Sequence, residues 1–274
     1  MKINIKMSFL IGFLFCFQQS HTEKHVIGSW SAGFFSAFFG VLNHLYWCEK
    51  TGKTPVVYWG KESFYWQNGG YNGSFNAWDY FFEPVSYERA SPDESRDTSY
   101  SVGERIFPTV PTSLEKRLLA HRLINSYIKI VPSINHKVES FFTQNMAKKR
   151  TIGIHLRGTD KYKEVKVVDP ILIFEKANRE AILLGDCQFF VATDEYRLLE
   201  LAQKTLNRPV IYHPCERSKN SQPLWAFEHK AIWGEDILIE ALLLSHCDIF
   251  LHTISNISVA VLCFNPLLKN ILFT

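Results

Sequence analysis

Apolar and polar positions alternate along the chain in patterns that predict short strands and amphipathic helices. In the first half, the pattern predicts a strand at 25–30, a helix at 34–50 that stops before Gly52, and a second strand at 54–59. A strand, a helix and a strand in close succession form a βαβ unit, which favours a parallel sheet. We therefore expect the first half to belong to the α/β class.

The second half repeats this alternation more regularly. Five strands are predicted there, at 151–156, 188–193, 209–212, 248–251 and 270–273, and the helices between them at 170–184, 195–206, 233–245 and 255–263. Asp169 and Pro170 have the residue types of an N-cap and a first helical position. This pattern predicts a doubly wound, Rossmann-like module.

The segment between the two regular regions is less periodic. Residues 60–110 are rich in Gly, Pro and aromatic residues, and two helices are predicted after them, at 114–130 and 134–146. A short basic connector follows at 147–150. We predict an α/β fold of two Rossmann-like domains, 25–147 and 150–274.

The amino terminus has a different pattern. Lys2 and Lys6 precede an apolar run at 7–17, which is typical of a secretory signal peptide. The run is shorter than the ~20 residues that span a bilayer, although a weak anchor or a buried first strand is also compatible with it. We predict that residues 1–20 are a signal peptide or membrane anchor. This implies a secretory lumen or a membrane face, the cytoplasmic face included if the anchor stays uncleaved.

Composition narrows the class of partner. With 46% hydrophobic residues, 21% charged residues and a net charge of +3, the sequence is typical of a globular protein and not of a polybasic nucleic-acid binder. An acidic small ligand needs only a few local cations. The six cysteines form no C-x-x-C pair, so zinc sites are not indicated and we expect most cysteines in the core.

Polar residues gather where three predicted strands end. The carboxyl ends of parallel strands meet at one edge of a sheet, where ligands bind. The clusters are His155, Arg157, Gly158, Asp160 and Lys161 after the first strand of the module, Asp194 and Glu195 after the second, and Thr253, Ser255 and Asn256 after the fourth. Arg157 and Lys161 suit a phosphate, and a helix N-terminus following Thr253 supplies N–H groups. The sequence therefore predicts one crevice for a phosphorylated ligand.

Structural roles explain some of these residues equally well. Asp194, Ser255 and Asn256 are all good helix caps. His155 lies in an apolar strand and is compatible with a core histidine, and Arg157 with Asp160 is compatible with a surface ion pair. No helix cap, however, requires an arginine and a lysine after the strand.

At these residues the chain resembles the α1,6-fucosyltransferases. HLRGTDK at 155–161 is similar to their H-[VIL]-R-R-T-D-K motif, and FVATDE at 190–195 to a second motif, an apolar strand that ends in A-T-D-D. EALLLSHCDIFLHTISNIS at 240–258 is similar to a third, which ends in T-F-S-S. The resemblance implies a GT-B fold and inverting, metal-independent transfer of fucose from GDP-fucose, with no cofactor.

The resemblance also implies roles for individual residues. Those implied to contact the donor are His155, Arg157, Gly158, Lys161, Asp194, Glu195, Glu240, Thr253, Ser255 and Asn256. Arg157 would hold the pyrophosphate and Glu240 would lie close to the donor. Glu164 is the first candidate for the general base and Asp160 the second. Gly158 stands where the family has a second arginine, and Glu195 and Asn256 are also substitutions.

Three functions follow from these observations. The first is fucosyl transfer from GDP-fucose to a hydroxyl of a glycan acceptor, with acceptor contacts from the aromatic-rich first half. The second is transfer from another nucleotide sugar, because Gly158 removes a cation. The third is non-catalytic binding of a nucleotide or carbohydrate.

Overall fold

The computed structural model describes residues 23–94, 102, 105–108, 112–158, 168–219 and 229–274. The strands in these ranges are β1 (Lys24–Ile27), β2 (Thr54–Val57), β3 (Arg150–Leu156), β4 (Cys187–Thr193), β5 (Val210–Ile211), β6 (Ile249–Thr253) and β7 (Lys269–Phe273). The α-helices are α1 (Phe34–Thr51), α2 (Leu114–Tyr127), α3 (Pro132–Asn145), α4 (Pro170–Leu184), α5 (Tyr196–Thr205), α6 (Lys230–Ser245) and α7 (Asn256–Phe264).

The second half forms the predicted five-stranded parallel sheet. Its strand order is β5-β4-β3-β6-β7, so the chain winds outward from β3 in one direction and then, from β6, in the other. The reversal between β3 and β6 is a topological switch point, where a crevice opens beyond the carboxyl ends of the strands. Asp169 caps α4 as expected, because its carboxylate accepts a hydrogen bond from the N–H of Ile171.

Residue alternation along the strands builds two apolar layers. Ile152 and Ile154 of β3 pack in a cluster with residues of α4 and α5, whereas Phe190 of β4 and Phe250 of β6 belong to a second cluster on the opposite face. Successive side chains of a strand point to opposite faces, so near-continuous apolar strands bury both. His155 follows Ile154 and therefore lies on the α6 and α7 side of the sheet.

The first half contains the predicted βαβ unit. β1 and β2 pair in parallel, and α1 between them ends at Gly52, whose φ of 68° is the left-handed conformation that favours glycine. A full Rossmann-like sheet is not observed in the described part of this half, where the parallel sheet has two strands. The chain after β2 turns instead through two short 3-10 helices, Ala77–Tyr80 and Pro92–Glu94.

Aromatic side chains of the first half fill the core. Trp59, Trp78 and Phe82 are fully buried and pack in the cluster that also contains Phe190 and residues of α6. Burial accounts for most of the aromatic richness of the 60–82 region, while Phe75 remains exposed. The expected acceptor contacts from this half stay a prediction.

The two halves pack closely through α6. A Cβ atom on Gly234 would lie 2.7 Å from Cζ of Phe81 and 2.8 Å from Cδ1 of Tyr65, so glycine lets the helix approach these rings. One apolar cluster is thereby shared between the halves. The division into domains 25–147 and 150–274 stays a prediction.

The cysteines that the structure describes are free thiols. Cys48, Cys187, Cys247 and Cys263 are buried free thiols, as expected for core residues. Residues 1–20 lie outside the described residues. In the part of the chain that the structure covers, no helix combines the length and apolarity needed to cross a membrane.

Candidate functional site

A cleft opens at the carboxyl ends of β3, β4 and β6, with about 920 Å³ of empty space that includes its open mouth. The second half contributes residues from the ends of β3 and β4, from α6 and from the start of α7 after β6. The first half contributes the start of α1 together with Tyr65. The cleft therefore lies at the strand ends where the sequence predicted a crevice.

Two helix N-termini line the cleft. Gly33 precedes α1 without a side-chain cap, and the N–H of Phe34 donates a hydrogen bond to the Tyr65 hydroxyl at 2.8 Å. Ser255 caps α7 by accepting a hydrogen bond from the N–H of Ser258 at 3.0 Å, and Asn256 is the first helical residue. Because the first N–H groups of a helix lack intrahelical partners and carry the positive end of its dipole, both helix starts favour an anion.

Arg157 brings a cation to the same cleft. Its side chain lines the cleft and is half-buried, close enough to Tyr65 that its charge affects the phenol. Burial raises the pKa of Tyr65, while the hydrogen bond from Phe34 and the charge of Arg157 act in the opposite direction. Arg157 and the starts of α1 and α7 therefore bring a guanidinium and helix N–H groups to one space.

His155 is buried beneath this space. Its Nδ1 lies 3.2 Å from the Oγ of Ser258 and 3.5 Å from the Oγ of Ser255, and it lines the base of the cleft. It is therefore both a hydrogen-bonded core histidine and part of the cleft wall. The contact of His155 with the donor stays a prediction.

Asp194 lines the cleft but does not cap α5. Its Oδ1 accepts a hydrogen bond from the N–H of Gly158 at 2.8 Å, and the N-cap position belongs to Glu195, whose side chain makes no cap bond. The expectation that Asp194 caps a helix starting at 195 is wrong, because α5 begins at Tyr196. Asp194 instead joins the ends of β3 and β4.

Gly158 and Glu195 contact each other. A Cβ on Gly158 would lie 2.1 Å from Oε2 of Glu195, whose side chain is buried and does not line the cleft. The backbone at Gly158 thus approaches a carboxylate of its own chain, where we expected it to approach a ligand. Thr253 is also outside the cleft lining, and its carbonyl accepts a hydrogen bond from the Ser258 hydroxyl.

Glu240 lines the cleft on α6, and its place close to the donor stays a prediction. Its Oε1 accepts a hydrogen bond from Nη2 of Arg217 at 2.8 Å. Burial raises the pKa of Glu240 to about 7 against the opposing charge of Arg217. Asp160, Lys161 and Glu164 lie outside the described residues, so their roles stay predictions.

Sequence reasoning missed several residues of the cleft. Gly33 and Phe34 lie at the start of α1, a short connection after β1, and had the same strand, glycine and helix signal that pointed to the second half. Tyr65 and Arg217 come from irregular segments and carry no such signal, because chain folding alone brings them to the cleft. Asp236 lies one helical turn before Glu240 and also lines the cleft.

The described residues hold no cluster of three or more His, Cys, Asp or Glu side chains suited to bind a metal ion. The positive groups of the cleft in this part of the chain are a guanidinium and backbone N–H groups. These are groups that bind phosphate oxygens directly.

Comparison of the fold with solved structures identifies similar proteins. NodZ alpha-1,6-fucosyltransferase co-crystallized with GDP matches with a TM-score of 0.63 at 18% identity, over 92% of this chain and 95% of that one. The fucosyltransferase NodZ from Bradyrhizobium matches with a TM-score of 0.60 at 17% identity, over 90% and 93% of the two chains. POFUT1 in complex with GDP matches with a TM-score of 0.59 at 10% identity, over 92% and 98%.

Sequence comparisons give no match, either to a protein-family model or to a curated protein. The similarity therefore lies in the fold, and it extends over nine-tenths of the chain. The chain therefore shares the fold of these solved structures.

Proposed function

We propose that this protein transfers fucose from GDP-fucose to a hydroxyl group of a glycan acceptor, by inverting displacement and without a metal ion. The observation that carries the proposal is the meeting of Arg157 with the N-termini of α1 and α7 in one cleft at the switch point of a parallel sheet. This arrangement suits a diphosphate.

The similar structures support the identity of the donor. Crystal structures exist of NodZ soaked with GDP-fucose, of NodZ co-crystallised with GDP, and of POFUT1 in complex with GDP. The motif around Arg157 resembles that of α1,6-fucosyltransferases independently of the fold comparison. Both lines favour a GDP-sugar over another nucleotide sugar.

The chemistry requires stabilisation of a leaving group. When the bond between fucose and the diphosphate breaks, negative charge develops on the departing phosphate oxygen. Arg157 and the N–H groups at the starts of α1 and α7 would stabilise that charge. A group near the acceptor must take its hydroxyl proton, and we propose Glu164 for this, with Asp160 as second choice.

Residues 1–20 bear on where the reaction takes place. We propose that this segment directs the protein to the secretory lumen or holds it at a membrane face, because lysines precede its short apolar run. The acceptor would then be a glycan or glycoconjugate of that compartment.

A transfer assay with labelled GDP-fucose and a panel of oligosaccharides tests the proposal. We expect release of GDP and a fucosylated product, with inverted anomeric configuration by NMR, in the presence of EDTA. Arg157→Ala should lower kcat/KM by about 100-fold or more, in the range for removal of one oxyanion-stabilising donor. Arg122→Ala is the matched control, because Arg122 pairs with Glu49 at the far end of α1.

Other outcomes distinguish the alternatives. Thermal stabilisation by a UDP- or CDP-sugar but not by GDP-fucose would contradict the fucosyl donor and support a different glycosyltransferase. Stabilisation by GDP without turnover of GDP-fucose, by hydrolysis or by transfer, would indicate a nucleotide-binding protein without catalysis.

A further inference from the structure

Two acidic residues of α6 face two basic residues of the segment that follows β5. Asp236 and Glu240 are four residues apart and therefore lie on one face of the helix. Nε2 of His213 lies 2.9 Å from Oδ1 of Asp236, and Nη2 of Arg217 lies 2.8 Å from Oε1 of Glu240. Because both pairs of partners are four residues apart, segment 213–217 runs alongside α6, which lines the cleft.

Arg217 is the buried centre of this segment. The residue is 8% exposed, and its guanidinium donates hydrogen bonds to the carbonyls of Cys215 at 3.1 Å and His213 at 3.0 Å. The guanidinium also lies over the ring of Tyr212, 5.4 Å from its centroid. These contacts fix the guanidinium in place, so that it presents Nη2 to Glu240 in one orientation.

Only one oxygen of Glu240 is engaged by the described residues. Arg217 and the thiol of Cys215 both contact Oε1, the thiol at a distance of 3.5 Å. Oε2 has no hydrogen-bond partner among the residues that the structure describes. Because the side chain is 14% exposed and lines the cleft, it is accessible to a ligand.

The charge of Glu240 depends on these neighbours. Burial raises the pKa of its carboxyl to about 7, Arg217, His213 and the Cys215 thiol lower it, and Asp236 raises it. The other titratable side chains of the described cleft lining are Tyr65, His155, Arg157, Asp194 and Glu216. Arg217 is the largest of the influences that favour the ionised form.

We propose that Arg217 is a positioning residue for the donor site, which holds Glu240 ionised and oriented so that its second oxygen accepts a hydrogen bond from the nucleotide. This inference rests on the proposed function. Arg217 itself does not line the cleft, so it acts through Glu240.

The test measures GDP affinity of the full chain by calorimetry between pH 5.5 and 9. Wild type should lose affinity as the pH falls below about 7, because Glu240 takes up a proton and ceases to be an anion. The GDP affinity of Glu240→Gln should lack this part of the pH dependence. The pH dependence that remains in this variant then reports the titration of GDP itself. Arg217→Met should raise the pKa of Glu240. For a rise of about one pH unit, affinity at pH 7 should fall about fivefold, because the ionised fraction drops from about a half to about a tenth, and it should recover at pH 9.

Three further variants test whether the effect on GDP affinity comes from the contact between Arg217 and Glu240. Arg217→Lys keeps a cation and should retain a midpoint near that of wild type. In the double variant Arg217→Met with Glu240→Gln, the loss should be no greater than in Glu240→Gln alone. Arg122→Met breaks the exposed pair with Glu49, and its pH profile should match that of wild type.

The outcomes separate this inference from the proposed function. If wild type binds GDP and Arg217→Met has the same pH profile, or loses affinity equally at all pH values, Arg217 has no positioning role. If wild type binds no GDP, the proposed function fails. The infrared carboxylate band that is lost in Glu240→Gln still reports whether Arg217→Met, or Arg217→Gln should the former not fold, moves the pKa of Glu240.

Discussion

The carboxylate of Asp194 accepts a hydrogen bond from the backbone N–H of Gly158 at 2.8 Å, and so ties together the ends of two neighbouring strands. Leu156 and Thr193, the last residues of β3 and β4, are paired in the sheet. Arg157 lies between Leu156 and Gly158, so its backbone is fixed on both sides. The direction in which the arginine leaves the sheet therefore depends on Asp194.

Replacement of Asp194 should affect both stability and donor binding. Asp194→Ala leaves the N–H of Gly158 without its acceptor, and loss of this partly buried hydrogen bond should cost about 1 kcal/mol. Asp194→Asn keeps an oxygen at Oδ1 and should retain most of that stability. Urea unfolding and GDP titration of both variants measure the two effects, and equal losses in Ala and Asn would show that the hydrogen bond is not the cause.

The close approach of Gly158 to Glu195 gives a second prediction. Gly158→Ala places a Cβ 2.1 Å from Oε2 of Glu195 and 2.9 Å from Cδ1 of Leu198, so the neighbours must shift. We expect a loss of about 1–3 kcal/mol, as for overpacking of a core. The loss should shrink in a Glu195→Ala background, as measured by a double-mutant cycle in urea. An unchanged loss there would mean that Glu195 is not the obstacle.

This contact links two positions at which the motifs depart from those of α1,6-fucosyltransferases. An arginine at 158 would need the space that the carboxylate of Glu195 occupies. The sequence shows the two substitutions 37 positions apart, and nothing in it relates them. Only the pairing of β3 with β4 brings them into contact.

Periodicity was sufficient to predict the parallel sheet of the second half. The strands alternate with helices that have clear start signals, such as Asp169 and Pro170, and connections between parallel strands leave few topologies. The first half was predicted less well. Its βαβ unit is present, but Tyr65 lies in an irregular segment and Trp78 in a short 3-10 helix, where burial has no period to detect.

The site was predicted where it depends on strand ends and missed where it depends on packing between the halves. Arg157, Asp194 and Ser255 follow strands of one sheet and line one cleft, as expected. Arg217 reaches Glu240 from an irregular segment 23 residues earlier in the chain, and the first-half side of the cleft is formed by the start of α1. Such contacts depend on tertiary structure rather than on local pattern.

The cap of α7 can be tested by a matched pair of substitutions. Ser255→Ala removes the acceptor for the N–H of Ser258 and should cost about 0.5–2 kcal/mol, whereas Ser255→Gly should cost only a few tenths relative to serine. Both variants also remove the hydroxyl near Nδ1 of His155. If α7 binds the donor phosphates, GDP affinity should follow the stability of the helix start. It should therefore fall more in Ser255→Ala than in Ser255→Gly. Identical unfolding midpoints for the two variants would contradict the capping role.

A pair of histidines gives the first half a defined sensitivity to acid. Nε2 of His25 lies 2.8 Å from Nδ1 of His44, which is 1% exposed, so one nitrogen must donate and the other must accept. Burial, with the charge of His44 as a second cause, lowers the pKa of His25 from 6.5 to about 4. The unfolded chain thus binds a proton that the folded chain rejects, and the stability from this pair is lost as the pH falls from about 6.5 towards 4.

Removal of the titrating group should make the acid limb of the stability curve shallower. His25→Gln keeps a polar side chain that does not titrate, so its free energy of unfolding should fall less than that of wild type between pH 7 and pH 4.5. His136→Gln is the matched control, because it makes the same substitution at an exposed histidine of α3 outside this pair. Urea unfolding midpoints of the three proteins, measured between pH 7 and pH 4.5, test this expectation. A His25→Gln curve parallel to wild type would mean that the pair does not resist protonation in the folded state.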